Sequence, residues 1–138
     1  MTATGKASQV MDALFAHAAL LATTAPSLPV SFPEAPNFTP PTDGKYLRVS
    51  FFGNVPRWDA LSVGVMDQGL LQISVVWPKN QGLIGVANAA AQVAAHFAKN
   101  TTLVSGATHV KVNNDPWVAS PLTEENNVAL PVTVPWTA

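Results

Sequence analysis

The side chains that most often bind metals or take part in catalysis are few and widely spaced in this sequence. There are three histidines, His17, His96 and His109, and no cysteine. A metal site on a helix needs ligands three or four positions apart, and none of the histidines has such a partner. The lack of cysteine excludes disulfide scaffolds, thiol catalysis and cysteine-based zinc sites. We therefore expect no metal and no cofactor, and we expect His17 and His96 at an interface or an element boundary.

The acidic residues are scattered as well, and only Glu124 and Glu125 are adjacent. Neighbouring side chains diverge in a strand and are usually solvated in a loop, so this pair does not predict general acid–base catalysis. Residues 82–85, Gly-Leu-Ile-Gly, lack the phosphate-binding glycine pattern and its lysine, and there is no nucleophile elbow. The sequence therefore predicts a protein without enzymatic activity. An enzyme with a site assembled from distant residues is an alternative.

Residues suited to contacts between proteins are more prominent. Arg57 and Trp58 are adjacent in a long loop that also contains Leu61, and Trp117 follows an Asp-Pro pair. Trp and Arg are favoured at the centres of protein interfaces. A long loop with much apolar surface either folds onto its own domain or docks onto another chain. We predict partner binding by Arg57, Trp58, Leu61 and Trp117, with residues 54–67 as the docking element.

The composition fits a protein that is covered by other subunits. The chain has 138 residues, the length of one domain. Only 11 % of them are charged, against roughly 25 % in an average soluble domain. Either Thr, Asn, Ser and Pro cover the surface, or other subunits bury much of it. The net charge of −1 argues against binding nucleic acid by neutralising phosphates.

The N-terminal region has two interpretations. A basic residue precedes an apolar run at residues 13–22 that ends in small residues, as in a secretory signal peptide. Asp12 and His17 interrupt this pattern, however, and Pro26 would directly follow the cleavage site. An amphipathic helix over residues 6–23 is favoured, because one stripe is apolar: Val10, Leu14, Ala18 and Leu21. No run of about 20 apolar residues exists, so no transmembrane helix is expected.

Hydrophobic periodicity predicts the other elements. Six of the twelve prolines fall in residues 26–41, which should run extended along the domain. Alternating apolar and polar residues predict strands, and a 3.6-residue period predicts a second, Ala-rich helix. The predicted strands are 45–52, 70–77, 101–104, 109–112 and 128–136, and the helix is 82–99. The first two strands would form a hairpin whose connection, residues 53–69, is a long arm.

The last of these strands should lie at an edge of the sheet. Pro131 and Pro135 share one parity, so both missing N–H groups lie on the same side of the strand. That side cannot carry a full ladder of hydrogen bonds, whereas the opposite side can. Trp77 and Trp136 share the apolar parity of their strands and are expected in the core. The elements together predict a single α+β domain, residues 1–138, with a mixed, mostly antiparallel sheet of about four or five strands and two helices packed on one face.

The order of several short landmarks is similar to that of a known family. They are Asp12-Ala13-Leu14-Phe15 in the first helix, Pro40-Pro41 before Lys45-Tyr46-Leu47-Arg48-Val49, Gln68-Gly69-Leu70-Leu71-Gln72-Ile73-Ser74-Val75-Val76-Trp77-Pro78, Pro116-Trp117-Val118, and Val132-Thr133-Val134-Pro135-Trp136. Over nearly the whole chain this order resembles the tail terminator, or tail completion, proteins of long-tailed bacteriophages and prophages. The family has no catalytic signature, so no functional residue is carried over from it.

The resemblance implies a non-enzymatic virion protein. Such proteins form a ring, commonly a hexamer, on the last ring of tail tube protein; the ring stops tube growth and receives the head connector on its other face. The partners would be copies of the chain, the tail tube protein and the head connector or head completion protein. The chain would act in the host cytoplasm during assembly and end at the head-proximal end of the tail. DNA would pass the lumen without specific binding, which the small negative charge permits.

Three alternatives stay open at this point. One is another head–tail joining protein, which binds the connector but not the tube. Another is a secreted small binding module that uses the Pro-rich segment after signal cleavage. The third is the enzyme with a dispersed site, which a buried histidine with a carboxylate partner in a deep pocket would indicate.

Overall fold

The apolar stripe near the N-terminus forms a helix. The computed structural model describes residues 3–34, 38–53, 57–58 and 65–138, in which α1 spans Lys6–Ala19 and continues as a 3₁₀ turn over Leu20–Ala22. The predicted stripe faces inward, since Val10, Leu14, Ala18 and Leu21 are all buried. Among the described residues, no helix has both the length and the apolar character needed to cross a bilayer.

The second helix, α2, spans Ile84–His96 and lies close to the sheet. Its buried residues are Val86, Ala89, Ala90 and Val93, followed by Phe97 just beyond its end. Gly85 passes over Trp77, and a Cβ at Gly85 would lie 3.3 Å from Trp77 Cζ2. Small residues thus allow the close helix–sheet approach that the Ala-rich sequence predicts.

In the described part of the chain, eight strands form one sheet, and a separate pair forms a small ribbon. The strands are β1 Val30–Ser31, β2 Tyr46–Gly53, β3 Arg57–Trp58, β4 Val65–Met66, β5 Gln68–Pro78, β6 Thr102–Ser105, β7 Thr108–Val112, β8 Trp117–Val118, β9 Leu122–Thr123 and β10 Asn127–Thr137. The main order is β1-β2-β5-β10-β7-β6, with β8 and β9 also paired to β10, and the ribbon is β3-β4. Among the pairings between these described strands, only β1–β2 is parallel.

This sheet confirms the predicted fold class and extends it. The five predicted strands correspond to β2, β5, β6, β7 and β10, and β2 pairs with β5 as the predicted hairpin. The added strands β1, β8 and β9 have two residues each, too few to show a period-two pattern. The sheet therefore has more strands than the sequence predicts.

One face of the sheet, the helix face, packs against both helices and forms the core. Its buried side chains are Leu47 and Val49 of β2, Leu71, Ile73 and Val75 of β5, Val110 and Val112 of β7, and Leu130, Val132, Val134 and Trp136 of β10. Each strand contributes alternate residues, as half-buried strands do. Trp136 is in the core and Trp77 is partly buried against it, as predicted.

The sheet curls around α1, which touches strands near both of its ends. On one side, Asp12 Oδ2 accepts a hydrogen bond of 2.7 Å from Ser105 Oγ in β6. On the other side, the Phe15 ring lies 6.2 Å from the Phe51 ring in β2 and 5.5 Å from the Phe32 ring after β1. α1 therefore lies between the two outer parts of the sheet.

The prediction that the last strand lies at an edge is wrong. β10 is central: it pairs with β5 along its full length, from Asn127↔Pro78 to Thr137↔Gln68, and with β7, β8 and β9 on its other side. Pro131 and Pro135 face that other side, where their carbonyls accept hydrogen bonds from the N–H groups of Ala119 (2.9 Å) and Asn113 (3.3 Å). The strands β7, β8 and β9 thus lie on the side of β10 where the two prolines donate no N–H.

The second face of the sheet carries no helix among the described residues. Arg48 of β2 reaches across it to Glu124, with 3.3 Å between Arg48 Nη2 and Glu124 Oε2. The buried residues of β5 and β10 on this face have small or short side chains: Ser74, Val76, Ala129 and Thr133. At one end, the Phe38 ring packs on Tyr46 at 5.3 Å.

Candidate docking surfaces

The arm, residues 53–69, begins and ends on firmly paired backbone. Gly53 and Gly69 are opposite each other at the end of the β2–β5 ladder. A Cβ at Gly69 would collide with the Phe52 carbonyl and lie 2.7 Å from Trp136 Cζ2, so only glycine fits there. Asp67 exchanges two main-chain hydrogen bonds with Ala138, of 3.0 and 2.9 Å, and its carboxylate lies 3.2 Å from Lys6 Nζ.

Within the arm, two of the predicted docking residues form a strand. Arg57 and Trp58 make up β3, which pairs with β4 so that Arg57 is opposite Met66 and Trp58 is opposite Val65. Leu61 lies outside the described residues. The loop that the sequence indicates therefore contains a short antiparallel ribbon, and the roles of Arg57, Trp58 and Leu61 stay predictions.

The fourth predicted residue, Trp117, lies elsewhere. It belongs to β8, pairs with Thr133 of β10, and is 48 % exposed. Val118 of β8 and Leu122 of β9 are also well exposed, and no sequence pattern indicates this. Trp117 is thus one of several exposed apolar residues on the short strands β8 and β9, outside the β3-β4 ribbon.

A third apolar surface, which the sequence does not predict, lies at β6, the last strand in the main order of the sheet. Val104 is 58 % exposed on this strand. An open groove of about 350 Å³ runs between β6 and α1, lined by Asp12, Ala13, Ala16, His17, Leu20, Leu103 and Val104. The sequence of β6 shows a four-residue strand without charge. This pattern does not indicate that β6 lies at an edge of the sheet.

His17 and His96 form a stacked pair at the ends of the two helices. Their ring centroids are 3.9 Å apart, and the planes differ by 14°. His17 Nε2 lies 2.8 Å from the His96 carbonyl oxygen, and His96 Nε2 lies 2.7 Å from that of His17. Because a carbonyl oxygen only accepts, each Nε2 carries the proton. The pair joins α1 to α2, which agrees with a boundary role.

Burial lowers the pKa of His17 below its ordinary value of 6.5, and the neighbouring His96 lowers it further, against the opposing effect of its hydrogen bond. In the described structure, the hydrogen-bond partners of the two rings are main-chain carbonyls and not carboxylates. The described residues contain no group of three His, Asp or Glu side chains that could hold a metal ion. The pair is thus a clasp that joins the two helices through two hydrogen bonds and a stacked contact.

An apolar cavity of about 180 Å³ lies beside the two ends of the arm, lined by Ala7, Val10, Phe51, Gly53, Asp67, Gln68 and Trp136. The rings of Phe51 and Trp136 stack at 5.6 Å. The Trp136 Nε1 atom is buried and has no hydrogen-bond partner among the described residues. Asp67 and Gln68 are the polar residues of a lining that is otherwise apolar or glycine.

The described residues define a small α+β protein with several exposed apolar side chains and little charge. The family model for phage tail terminator proteins matches residues 9–136. The chain belongs to the phage tail terminator family, whose members are structural and non-enzymatic, and it is a component of the virion tail. The resemblance described from the sequence landmarks is therefore confirmed.

Solved structures share the fold. One, of a protein whose designation states no function, is 26 % identical, with a TM-score of 0.73, and the match covers 92 % of this chain and 94 % of that chain. A chain from the virion of a native gene transfer agent particle is 16 % identical, with a TM-score of 0.59, and the match covers 99 % of this chain and 100 % of that chain. A search of the curated proteins finds no match.

Proposed function

We propose that copies of this chain form a ring, commonly a hexamer, on the end of the tail tube, where the ring terminates tube polymerisation and offers its other face for head attachment. The observation that carries this proposal is the tail terminator match over residues 9–136. The ring's partners would be the tail tube protein and the head connector. It would act in the host cytoplasm during assembly and remain at the head-proximal end of the tail.

The surface of the chain supports assembly rather than a solitary existence. Among the residues that the structure describes, nine large apolar side chains are substantially exposed: Met11, Leu20, Phe52, Leu83, Ile84, Val104, Trp117, Val118 and Leu122. Only 11 % of the residues are charged. Exposed apolar surface with little charge is typical of surfaces that become buried against other subunits.

Capping follows from a difference between the two faces of such a ring. One face complements the open tube end, and the other lacks the surface that a further tube subunit needs, so no productive head-to-tail contact remains. Residues 54–67 would dock on the tube, with Arg57 and Trp58 as anchors and Leu61 and Trp117 as further contacts. A chain with net charge −1 would line a lumen through which DNA passes without specific binding.

The position of α1 argues against the secreted binding module. Cleavage after residue 25 would remove Val10, Leu14, Ala18 and Leu21, which are all buried in the core. The remaining chain would lose the helix that lies between the outer strands. Intact-mass measurement after expression in a bacterium should therefore show a chain that retains residues 1–25.

Electron microscopy of the purified protein, alone and mixed with tail tube protein, tests the proposed function. We expect rings alone and shorter tubes in the mixture. A protein that binds the head connector but leaves tube length unchanged would instead be another head–tail joining protein.

Replacing Trp58 with Ala tests the docking role of the arm. The change should weaken tube binding by about tenfold or more, because an aromatic anchor would be lost from the interface. Leu122→Ala serves as the control, since Leu122 is exposed on β9, outside the arm, and has no predicted docking role. A Trp58→Ala protein that caps tubes as well as the unmodified chain would show that the arm is not the docking element.

A further inference from the structure

The strand β6 has a free edge with an exposed apolar side chain. Val112 N–H donates to the Thr101 carbonyl at 2.9 Å. Because hydrogen-bonded positions alternate along an antiparallel pair, the main-chain groups of Thr102 and Val104 point away from β7. In the described part of the chain, β6 has β7 as its one strand neighbour. The edge therefore presents two N–H and two C=O groups to the outside.

The side chain of Val104 can also be placed by register. Leu103 is opposite Val110, which is buried on the helix face, whereas Val104 is opposite His109. Val104 therefore lies on the second face of the sheet, where it is 58 % exposed. Strand edges are normally protected by lysine, proline or a bulge. The strand Thr102–Ser105 contains neither lysine nor proline.

The other end of the sheet has a matching edge on β2. Leu47 N–H donates to the Pro29 carbonyl at 2.8 Å, so odd-numbered residues of β2 direct their main-chain groups outward. β1 pairs only with Leu47 and Arg48, and the chain then turns at residues 33–34. The outward groups of Phe51 and Gly53 have no strand partner among the described residues.

Phe52, between those two residues, is 51 % exposed. Its parity is that of Arg48, so its side chain lies on the second face, like that of Val104. Residues 49–53 contain no charge, as is true of β6. Each end of the sheet thus presents an uncharged edge and one exposed apolar side chain on the same face.

The directions of the two edge strands allow them to pair in parallel. The four pairings β2–β5, β5–β10, β10–β7 and β7–β6 are all antiparallel, so β2 and β6 run in the same direction. In a parallel pair, a residue whose main-chain groups face the partner lies opposite one whose groups face away, with both side chains on one face. Val104 opposite Phe52 satisfies this rule.

We propose that the β6 edge of one copy pairs in parallel with the β2 edge of a second copy of this chain, with Val104 beside Phe52. Val104 N–H would donate to the Phe51 carbonyl, and Gly53 N–H would donate to the Val104 carbonyl. Within one copy the edges cannot meet, because α1 lies between them, in contact with Ser105 of β6 and with Phe51 of β2. The partner must therefore be a second chain.

This contact is heterologous, since two different edges meet. Repeated head-to-tail contacts close into a ring when the rotation between copies allows it. The inference therefore rests on the ring under Proposed function and identifies the interface that builds it. The exposed flank of α1, with Ala16 and Leu20 beside the groove, would back the added strand.

A proline at position 104 tests the main-chain contact. The Val104 N–H points away from β7, so Val104→Pro removes an outward donor and leaves the β6–β7 hydrogen bonds in place. Val104→Thr is the matched control, because it keeps the N–H and the β-branched shape. We expect the proline variant to raise the ring's dissociation concentration about tenfold or more, as measured by mass photometry, and the threonine variant to stay within a factor of about three.

Thiol crosslinking tests the register and works on rings alone or on capped tubes. The chain has no cysteine, so introduced pairs are the only thiols. Val104→Cys with Phe52→Cys should give a ladder of covalent oligomers with a short bis-maleimide. Val104→Cys with Leu122→Cys is the control, since Leu122 is 56 % exposed but lies on β9, away from the β2 edge, and should give no ladder.

The outcomes separate this inference from the proposed function. Rings or capped tubes that show no 52–104 ladder, or that form equally well with a folded Val104→Pro chain, would overturn the edge pairing and leave capping intact. An unmodified chain that neither forms rings nor shortens tubes would overturn the proposed function itself. Circular dichroism and thermal unfolding of each variant establish that the fold is retained.

Discussion

β10 and β6 occupy positions in the sheet opposite to those that their proline content indicates. β10 contains Pro131 and Pro135 and is central, whereas β6 contains no proline and is an edge. The prolines of β10 face a side where short strands donate to their carbonyls and need no N–H in return. Proline parity therefore shows which side of a strand lacks donors, and it does not show whether that side is empty.

The largest effect is expected from moving a proline of β10 to the other parity. Val132→Pro would place the missing N–H toward β5 and break the long ladder, so the free energy of unfolding should fall by more than about 3 kcal/mol. Pro131→Ala should change it by less than about 1 kcal/mol. Urea unfolding compares the two, and equal losses would show that the side facing β5 has no special role.

The next effect concerns two glycines that are opposite each other, one on β5 and one at the outer strand β2. A Cβ at Gly69 would meet the Phe52 carbonyl and Trp136, whereas one at Gly53 would have its nearest atom, Phe51 Cε1, at 3.8 Å. Gly69→Ala should therefore cost about 2–3 kcal/mol in unfolding free energy. Gly53→Ala should be neutral or slightly stabilising, by up to about 1 kcal/mol. A tolerated Gly69→Ala would contradict the close contact with Trp136.

A smaller effect is expected from pH at the clasp beside the β6 groove. The pKa of His17 is lowered in the folded chain from its ordinary value of 6.5. The unfolded chain then binds more protons below that value, so the contribution of His17 to stability is present above about pH 6.5 and is lost as the pH falls through and below it. Urea unfolding at a series of pH values should show this decline.

His17→Gln should flatten the decline. NMR titration of the His17 ring provides an independent measurement, with a midpoint expected below 6.5. A midpoint above that value would reverse the predicted direction of the pH dependence.

The smallest effect should come from the ion pair that crosses the second face. Arg48 and Glu124 keep 40 % and 39 % of their side-chain surface exposed, so water and salt screen their attraction. A double-mutant cycle with Arg48→Met and Glu124→Gln should give a coupling energy of less than about 1 kcal/mol, decreasing with salt. A larger, salt-independent coupling would mean that this face is more shielded than its exposure indicates.

The long periodic elements of this fold follow from the sequence. α1, α2 and the strands β2, β5, β7 and β10 occur where periodicity predicts them, because each buries one regular face in a common core. The tail terminator resemblance is confirmed too, since it depends on the order of such elements along nearly the whole chain. The landmark segments that suggest it are largely parts of these core elements.

The tertiary structure alone decides which strand is an edge and which apolar residues stay outside. The neighbours of β10 include two-residue strands, whose pairing depends on distant residues and leaves no local pattern. Trp117 is predicted to bind a partner from its residue type and its place in the sequence, and it is exposed. No local pattern marks Val104 and Phe52 as exposed. Their exposure follows from their positions at opposite ends of a curled sheet, and local alternation does not encode strand order.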